Sequence, residues 1–228
     1  MQAEGNLYRH MQGHWDGDVT PVGRQQRNFL ALRFKDIPVD AVYSSDLYRA
    51  RFTASAITKF HDLPIQCDRR LREINIGPWE AAPFANVRRE QPELFDAFIH
   101  DPAHFCMPGA ETYHDVQARV IDALQEIAEK NPNRTVVITT HGVAIDKSRM
   151  NREVHVRFRE SLRVKVLLAT RLRGRGLFSP SYSIISIKAD AFRNGRRNLR
   201  IWSFRASHER HPFFQIHGQL RRGFLLAK

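Results

Sequence analysis

The chain has 228 residues, 42% of them hydrophobic, so it is long enough to bury a sizeable core within one domain. This composition is globular rather than disordered, and no apolar run approaches the length of a membrane span. The net charge of +12 is unevenly spread, because residues 1–146 carry −4 and residues 147–228 carry +16.

The N-terminal sequence MQAEGN has neither the basic nor the apolar segment that is typical of a signal peptide. Cys67 and Cys106 have no metal-binding or redox spacing, and reduced thiols are the simplest interpretation. A cytoplasmic protein is therefore expected.

Most of residues 1–26 is predicted to be a loop, because the segment is rich in glycine, asparagine and aspartate. A helix is predicted from Thr20 to about Lys35, with Pro21 at the first helical position.

The stretch from Val42 to Ala54, VYSSDLYRARFTA, combines the end of a buried strand, a polar turn and a helix. Ser44, Ser45 and Asp46 can each cap that helix. This arrangement places residues at the carboxyl end of a strand beside a helix N-terminus, which indicates an anion-binding site. Arg49 in the first helical turn can grip a phosphate with two hydrogen bonds, and a solvated helix residue is the alternative.

A short strand is predicted at residues 63–67, followed by the motif Leu-Arg-Glu-Ile at residues 71–74. The motif contains a carboxyl group, on Glu73, which from the residues alone is interpreted as a surface glutamate. Residues 84–99 are predicted to be helical, with Pro92 restarting the helix.

A capping box at residues 112–115 predicts an amphipathic helix that ends near Asn131. The β-branched run TVVITT at residues 135–140 then predicts a fully buried parallel strand. His141 and Gly142 follow at its carboxyl end, where ligand-facing residues lie in α/β proteins. A purely structural histidine is the alternative.

The sequence pattern changes after residue 146. Residues 147–180 alternate basic and apolar residues without a sustained period, which suggests a shifted reading frame or a true basic extension. A hairpin is predicted at residues 182–205, with its turn at Asn194-Gly195. The expected organisation is thus one domain over residues 1–146 and a divergent basic part over residues 147–228, whose hairpin completes the same domain.

Four separated stretches together resemble the histidine phosphatase superfamily, which includes phosphoglycerate mutases and small-molecule phosphatases. Residues 45–54 match its signature S-x-L-x-R-A-x-x-T-A, and residues 71–80 match L-x-E-x-x-x-G-x-W-E. Residues 108–112 resemble its G-G-E-S turn, and His141 matches its second histidine. The resemblance implies an α/β fold, a three-layer sandwich with a mainly parallel sheet, like that of phosphoglycerate mutases.

The resemblance also implies roles for individual residues. Arg49 and His141 would bind the phosphoryl group, and Glu73 would protonate the leaving oxygen. Substrate contacts are expected from Asn6, Gln12, Gly13 and Gly142. No metal and no other cofactor is implied, and the expected partner is a small phosphorylated metabolite.

The spacing of residues 6–20 fits the opening motif of the family, and this register places the nucleophilic Arg-His pair immediately before Met1. The first strand of the sheet, a central one, is then expected to be missing, and the chain to be unstable and inactive. Arg9-His10 is the alternative pair. No strand-like run precedes it and His10 lies only ten residues before Thr20, so we interpret His10 as a loop residue.

The resemblance implies a phosphomonoester hydrolase that acts through phosphohistidine and is impaired as written. A phosphatase is preferred over a mutase because Glu73 and His141 lie 68 residues apart, whereas mutases of the family carry longer inserts. Trp79-Glu80 is also phosphatase-like. The alternatives are mutase-type phosphoryl transfer, an inactive copy, and a nucleic-acid-binding protein that uses the basic C-terminal half. Nucleic acid is an unlikely partner by this interpretation, and no membrane association is expected.

Overall fold

The computed structural model describes residues 1–146 and a strand at residues 183–188. Several predicted features lie outside the described residues. These are the basic segment at 147–180, the turn at Asn194-Gly195 and the second strand of the predicted hairpin.

Seven α-helices and four strands make up the regular structure of the described residues. The helices are α1 (Glu4–Leu7), α2 (Pro21–Phe34), α3 (Tyr48–Ile57), α4 (Phe84–Glu90), α5 (Pro92–His100), α6 (Tyr113–Lys130) and α7 (Gly142–Asp146). The strands are β1 (Ala41–Ser44), β2 (Ile65–Cys67), β3 (Thr135–Thr140) and β4 (Ser183–Lys188). Short 3-10 turns lie at Thr58–Phe60, Arg69–Leu71 and Gly77–Trp79. The predicted helices and strands agree with these bounds, whereas α1 falls in a segment that was predicted to be a loop.

The one-turn helix α1 forms through a local hydrogen-bond exchange that composition does not reveal. The side-chain oxygen of Asn6 accepts the backbone N–H of Ala3 at 2.9 Å, and the Ala3 carbonyl accepts the N–H of Asn6. Arg9, with a φ of 57°, adopts a left-handed conformation just after the helix. Asparagine favours turns and helix caps alike, so the sequence did not decide between a loop and a short helix.

The strands form one mixed sheet in the order β2-β1-β3-β4. β1 pairs in parallel with β2 and with β3, and Val42 is the register partner of Val137. β4 pairs antiparallel with β3, with Ile138 opposite Ile185. The mainly parallel sheet that was expected is therefore present. A missing central strand was expected to leave one edge of a neighbouring strand unpaired. Within the described residues β3 is paired along both edges, with β1 on one side and β4 on the other.

Alternation along β1 and β3 creates two buried faces. Val42 and Val137 point to one face, where they pack with Ala54 and Ile57 of α3 and with partly buried residues of α2. On the opposite face, side chains of both strands pack against α6. The members of this second cluster include Ala41, Tyr43, Val136, Ile138, Ala123 and Ile127. The result is the predicted three-layer arrangement of helix, sheet and helix.

A third core lies in the segment between β2 and α6, and it is strongly aromatic. Trp79 and Phe105 have ring centroids 5.7 Å apart, and Phe98 meets Phe105 edge to face at 5.1 Å. The Tyr113 hydroxyl donates to the Phe98 carbonyl at 2.7 Å. This cluster anchors α4 and α5 to the rest of the domain and fixes the loop that precedes them.

No helix among the described residues is long and apolar enough to cross a membrane.

Candidate active site

The carboxyl ends of β1 and β3 lie side by side because the two strands are parallel neighbours. Ser45 follows β1, and His141 follows β3. The imidazole Nε2 of His141 lies 2.8 Å from the Ser45 hydroxyl, and both side chains are buried. The two loops that end these strands are thus joined directly at the predicted edge of the sheet.

Burial lowers the pKa of His141 well below its ordinary value, and the positive charge of Arg49 lowers it further. The imidazole is therefore neutral at neutral pH. A neutral imidazole beside a hydroxyl can donate one hydrogen bond and accept another, which suits contact with a phosphoryl oxygen.

Arg49 of α3 is 4% exposed and lies on the same edge of the sheet. Its Nη2 donates to the Gly13 carbonyl at 2.7 Å and its Nη1 donates to the Trp15 carbonyl at 2.9 Å. The Asp16 carboxylate lies 3.5 Å from Nη1. The sequence predicted a two-pronged grip on a phosphate, and in the structure two donors of that fork hold the loop at residues 13–15. A phosphate gripped by those two donors would have to displace the loop.

The N-terminus of α3 is capped from a distant part of the chain. The backbone N–H of Tyr48 donates to the Asp16 carboxylate. Ser45 accepts the N–H of Leu47 at 3.3 Å, but the residue at the cap position is Leu47, which has no side-chain acceptor. The prediction that Ser44, Ser45 or Asp46 caps the helix is therefore wrong, because a carboxylate 32 residues away supplies the acceptor.

Glu73 lies in the loop between β2 and α4, and it is 8% exposed. Its Oε1 accepts the N–H groups of Ile74 and Ala144 at 3.1 and 3.2 Å, and its Oε2 accepts that of Val143 at 3.2 Å. Burial raises the pKa of this carboxyl, and it outweighs the opposing effects of the three N–H groups and of Arg49. A raised pKa is the property that a proton donor needs near neutral pH.

The three predicted catalytic residues converge. Glu73 is hydrogen-bonded to the first turn of α7, directly after His141-Gly142, while His141 contacts the loop that leads into α3 and Arg49. The charge of Arg49 perturbs the pKa of both Glu73 and His141. Gly142 is half-buried at the start of α7, and thus belongs to the same constellation.

The loop at Gln12 and Gly13 lies against the site and is held by Glu80. The Glu80 carboxylate accepts the N–H groups of His14 and Trp15 at 2.8 and 2.6 Å. A Cβ atom on Gly13 would lie 2.3 Å from the Glu80 carboxylate, so this position requires glycine. The side-chain oxygen of Gln12 is buried without a hydrogen-bond partner among the described residues.

Asn6 is not brought to the site by the hydrogen bonds that the structure gives it, because its side-chain oxygen is used in α1. His10 forms an isolated bridge with Pro83, and its ring lies 6.0 Å from that of Trp15. A one-turn helix, not a strand, precedes it. The interpretation of His10 as a loop residue outside the catalytic pair stays a prediction.

Three functional candidates near Glu73 were missed in the sequence. His14 Nε2 lies 3.0 Å from the Glu73 carbonyl oxygen, and burial lowers the pKa of its imidazole. Arg119 donates to the same carbonyl at 2.8 Å and also binds Glu111. The turn motif at residues 108–112 contains Glu111, so the sequence could have identified this residue. No sequence feature distinguished Arg119 from the other charged residues of its amphipathic helix.

No group of three or more His, Cys, Asp or Glu side chains in the described part of the chain is arranged to hold a metal ion. Cys67 and Cys106 are both free and exposed.

Comparison with known proteins identifies relatives of the chain. The family model described as "Histidine phosphatase superfamily (branch 1)" matches residues 2–151. Phosphoglycerate mutase-like protein 4 of Arabidopsis thaliana is 33% identical over 193 residues, which cover 83% of this chain and 81% of that protein. Phosphoserine phosphatase 1 of Hydrogenobacter thermophilus is 30% identical over 142 residues, which cover 62% of this chain and 67% of that protein. The Arabidopsis match is longer than 146 residues, so similarity continues into the basic C-terminal part.

Solved structures agree with the sequence matches. Bacillus stearothermophilus YhfR superposes with a TM-score of 0.62 at 36% identity, covering 65% of this chain and 73% of that one. A mycobacterial glucosyl-3-phosphoglycerate phosphatase superposes with a TM-score of 0.58 at 29% identity, covering 63% of this chain and 71% of that one.

Proposed function

The chain belongs to the histidine phosphatase superfamily, and from that premise we propose that its site hydrolyses phosphomonoesters of small metabolites through a phosphohistidine intermediate. The observation that carries this proposal is the convergence of a buried arginine, a neutral histidine and a carboxyl with a raised pKa at one edge of the sheet. Positive charge, a hydrogen-bond donor and a proton donor are the groups that phosphoryl transfer requires.

In the proposed reaction, a histidine nitrogen attacks phosphorus and the bond from phosphorus to the ester oxygen breaks. Glu73 gives its proton to the departing alkoxide, which leaves as an alcohol. A water molecule then attacks the phosphohistidine and loses its proton to the Glu73 carboxylate, so that inorganic phosphate is released and both groups are restored. Arg49 and His141 would stabilise the charge on the phosphoryl oxygens in both steps.

We infer that the nucleophile of this scheme is not among the histidines of the described residues. Of these histidines, His141 and His14 are hydrogen-bonded beside Arg49 or Glu73. The ring of His10 lies 6.0 Å from that of Trp15, whose carbonyl accepts a hydrogen bond from Arg49, but no strand precedes His10. His141 is buried and bound to Ser45, and His14 is bound to the Glu73 carbonyl. We therefore infer that the chain of residues 1–228 turns over phosphomonoesters poorly.

Hydrolysis is favoured over intramolecular or intermolecular mutase activity. Two of the proteins similar to this chain are phosphatases by name, one acting on phosphoserine and one on glucosyl-3-phosphoglycerate. The short segment between Glu73 and His141 supports the same choice. A phosphoglycerate mutase-like relative keeps mutase-type transfer as the second candidate.

The test compares residues 1–228 with the same chain extended upstream in its reading frame. Phosphate release from phosphoserine, 3-phosphoglycerate and p-nitrophenyl phosphate is measured with and without EDTA, and mutase activity is measured on 3-phosphoglycerate. We expect EDTA-resistant hydrolysis and an acid-labile phosphoenzyme if the extension supplies an Arg-His pair, and little of either from residues 1–228.

Two results would overturn these proposals. Mutase turnover that exceeds phosphate release would replace the phosphatase assignment. Robust activity of residues 1–228 that His10→Ala abolishes, while the exposed control His100→Ala retains it, would show that Arg9-His10 is the catalytic pair.

A further inference from the structure

The guanidinium of Arg119 lies against the main chain of the loop that carries Glu73. Its Nη1 donates to the carbonyl oxygens of Arg70 and Arg72, both at 2.7 Å. Its Nη2 donates to the Glu73 carbonyl at 2.8 Å, and Nε and Nη2 donate to the two carboxylate oxygens of Glu111, each at 2.8 Å. All five N–H donors of this side chain are therefore used, three of them on one short loop.

Glu111 extends this hold to the next part of the loop. Its Oε2 accepts the N–H of Asn75 at 2.8 Å, and its own N–H donates to the Asn75 carbonyl at 2.8 Å. Burial by itself would raise the pKa of Glu111, but the hydrogen bonds from Arg119 and Asn75 outweigh it, and the pKa lies below its ordinary value. The Glu111 carboxyl is thus ionised throughout the neutral pH range.

We propose that Arg119, supported by Glu111, is a positioning residue that fixes where the Glu73 carboxyl lies. Arg119 contacts the backbone of Glu73, whereas the carboxyl is bound on its other side by the amides of Val143 and Ala144. The acid is therefore held at two points, one in the main chain and one in the side chain. The expected effect of Arg119 on catalysis rests on the proposed function, whereas its expected effect on the position of the Glu73 carboxyl does not.

A lysine at position 119 cannot replace this arrangement. An ammonium has three donors around a single nitrogen, whereas the guanidinium spreads five donors over a planar fork that reaches three carbonyls and a carboxylate together. Small displacements of a proton donor reduce transfer steeply, because donor and acceptor must approach within hydrogen-bond distance. Arg119→Lys is therefore expected to be impaired, though less than Arg119→Ala.

The first measurement follows the acid itself. The carboxyl carbon of Glu73 is titrated by NMR in the natural protein and in Arg119→Ala, with Glu73→Gln to assign the signal. Loosening the loop admits water, so the raised pKa of Glu73 should fall toward its ordinary value. The matched control is Arg70→Ala, which removes the side-chain bond from this loop to Glu126 of α6 and leaves the backbone carbonyl that Arg119 binds. The control should leave the Glu73 pKa unchanged.

The second measurement separates positioning from general damage by the choice of leaving group. An alkyl phosphate such as phosphoserine needs protonation of its leaving oxygen, whereas p-nitrophenyl phosphate hardly does. Arg119→Ala should lower kcat for phosphoserine about tenfold to a hundredfold, a part of the 10²–10⁴ that a general acid contributes, with KM within about threefold. The loss on p-nitrophenyl phosphate should be severalfold at most.

An unchanged Glu73 pKa, or equal losses of kcat on both substrates, would overturn the positioning role. If the natural protein hydrolyses neither substrate, the proposed function fails, and the titration of Glu73 alone then decides the positional role. If Arg119→Ala does not fold, the Glu73 titration and the comparison of the two substrates are made with Arg119→Lys and Glu111→Gln instead.

Discussion

Two loops meet at the site, and they are held in opposite ways. The loop at residues 13–15 offers its amides to the carboxylate of Glu80, and the loop at residues 70–75 offers its carbonyls to the guanidinium of Arg119. The first loop binds a functional side chain that lies outside it, that of Arg49. The second loop itself contains the functional side chain, that of Glu73. Damage to the first hold should therefore appear mainly as lost stability, and damage to the second mainly as lost proton transfer.

The largest effect is expected from Glu80→Ala. The amides of His14, Trp15 and Ile76 would lose their acceptor, and a buried amide without a partner costs roughly 1–3 kcal/mol. Because the site is partly open to water, we expect the free energy of unfolding to fall by about 2–4 kcal/mol, as measured by urea denaturation. Glu90→Ala, at an exposed carboxylate paired with Arg89, should change it by less than about 0.5 kcal/mol.

A smaller effect is expected from Gly13→Ala. The new methyl group would lie 2.3 Å from the Glu80 carboxylate and 2.5 Å from the Ile74 carbonyl oxygen, and a backbone carbonyl cannot easily move away. Overpacking of this kind costs about 1–3 kcal/mol in thermal or urea unfolding. Gly17→Ala is the milder comparison, since the nearest atoms to its new methyl group belong to the Trp15 ring. Equal stability of Gly13→Ala and the natural protein would mean that the first loop is not held closely.

The third prediction concerns pH and the second loop. The folded protein raises the pKa of Glu73 above its ordinary value of 4.5, so this carboxyl contributes stability below pH 4.5 that is lost as pH rises through the raised pKa. Relative to the natural protein, Glu73→Gln should therefore gain stability across that window, by at most about 1.4 kcal/mol per pH unit. Urea unfolding at several pH values measures it.

His141 provides a control for that experiment, because its contribution to stability should change with pH in the opposite direction. Its pKa is depressed well below 6.5, so its contribution is present above pH 6.5 and is lost as pH falls through the folded value. His141→Gln should accordingly gain stability, relative to the natural protein, toward low pH. If both variants shifted in the same direction with pH, the two assignments of burial could not both be right.

The smallest effect is expected from Asp16→Ala. This change removes the cap on Tyr48 and a carboxylate 3.5 Å from Arg49. Loss of a capping side chain costs about 1 kcal/mol in thermal unfolding, and Asp16→Asn, which keeps an acceptor, should cost less. A loss as large as that of Glu80→Ala would show that Asp16 contributes as much as Glu80 to holding the first loop.

The sequence predicted those parts of the molecule that depend on local pattern. The β-branched run at residues 135–140 and the capping box at residues 112–115 specify β3 and α6 through neighbouring residues alone, and both are confirmed. The convergence of Glu73 and His141 also followed from the sequence, through the resemblance and through strand ends that meet at one edge.

What the sequence did not reveal depends on contacts between distant residues. The cap on α3 comes from Asp16, and the hold on Glu73 comes from Arg119, which is 46 residues further along the chain. Arg49 was expected to offer its fork to a phosphate, and its pairing with two carbonyls could not be foreseen from its position in a helix. A charged residue on an amphipathic helix has many possible partners, and only the folded chain selects among them.

The order of the strands has a consequence for how the chain folds. β1 and β3 are neighbours at the centre of the sheet, yet Ala41 is paired with Val136, on the far side of four helices. Closing a loop of that length is entropically costly and slow, whereas α6 and the aromatic cluster around Trp79 form from nearby residues. We expect the aromatic cluster to assemble early and the β1–β3 ladder late. The edge that brings Ser45 to His141 would then be among the last parts of the molecule to take shape.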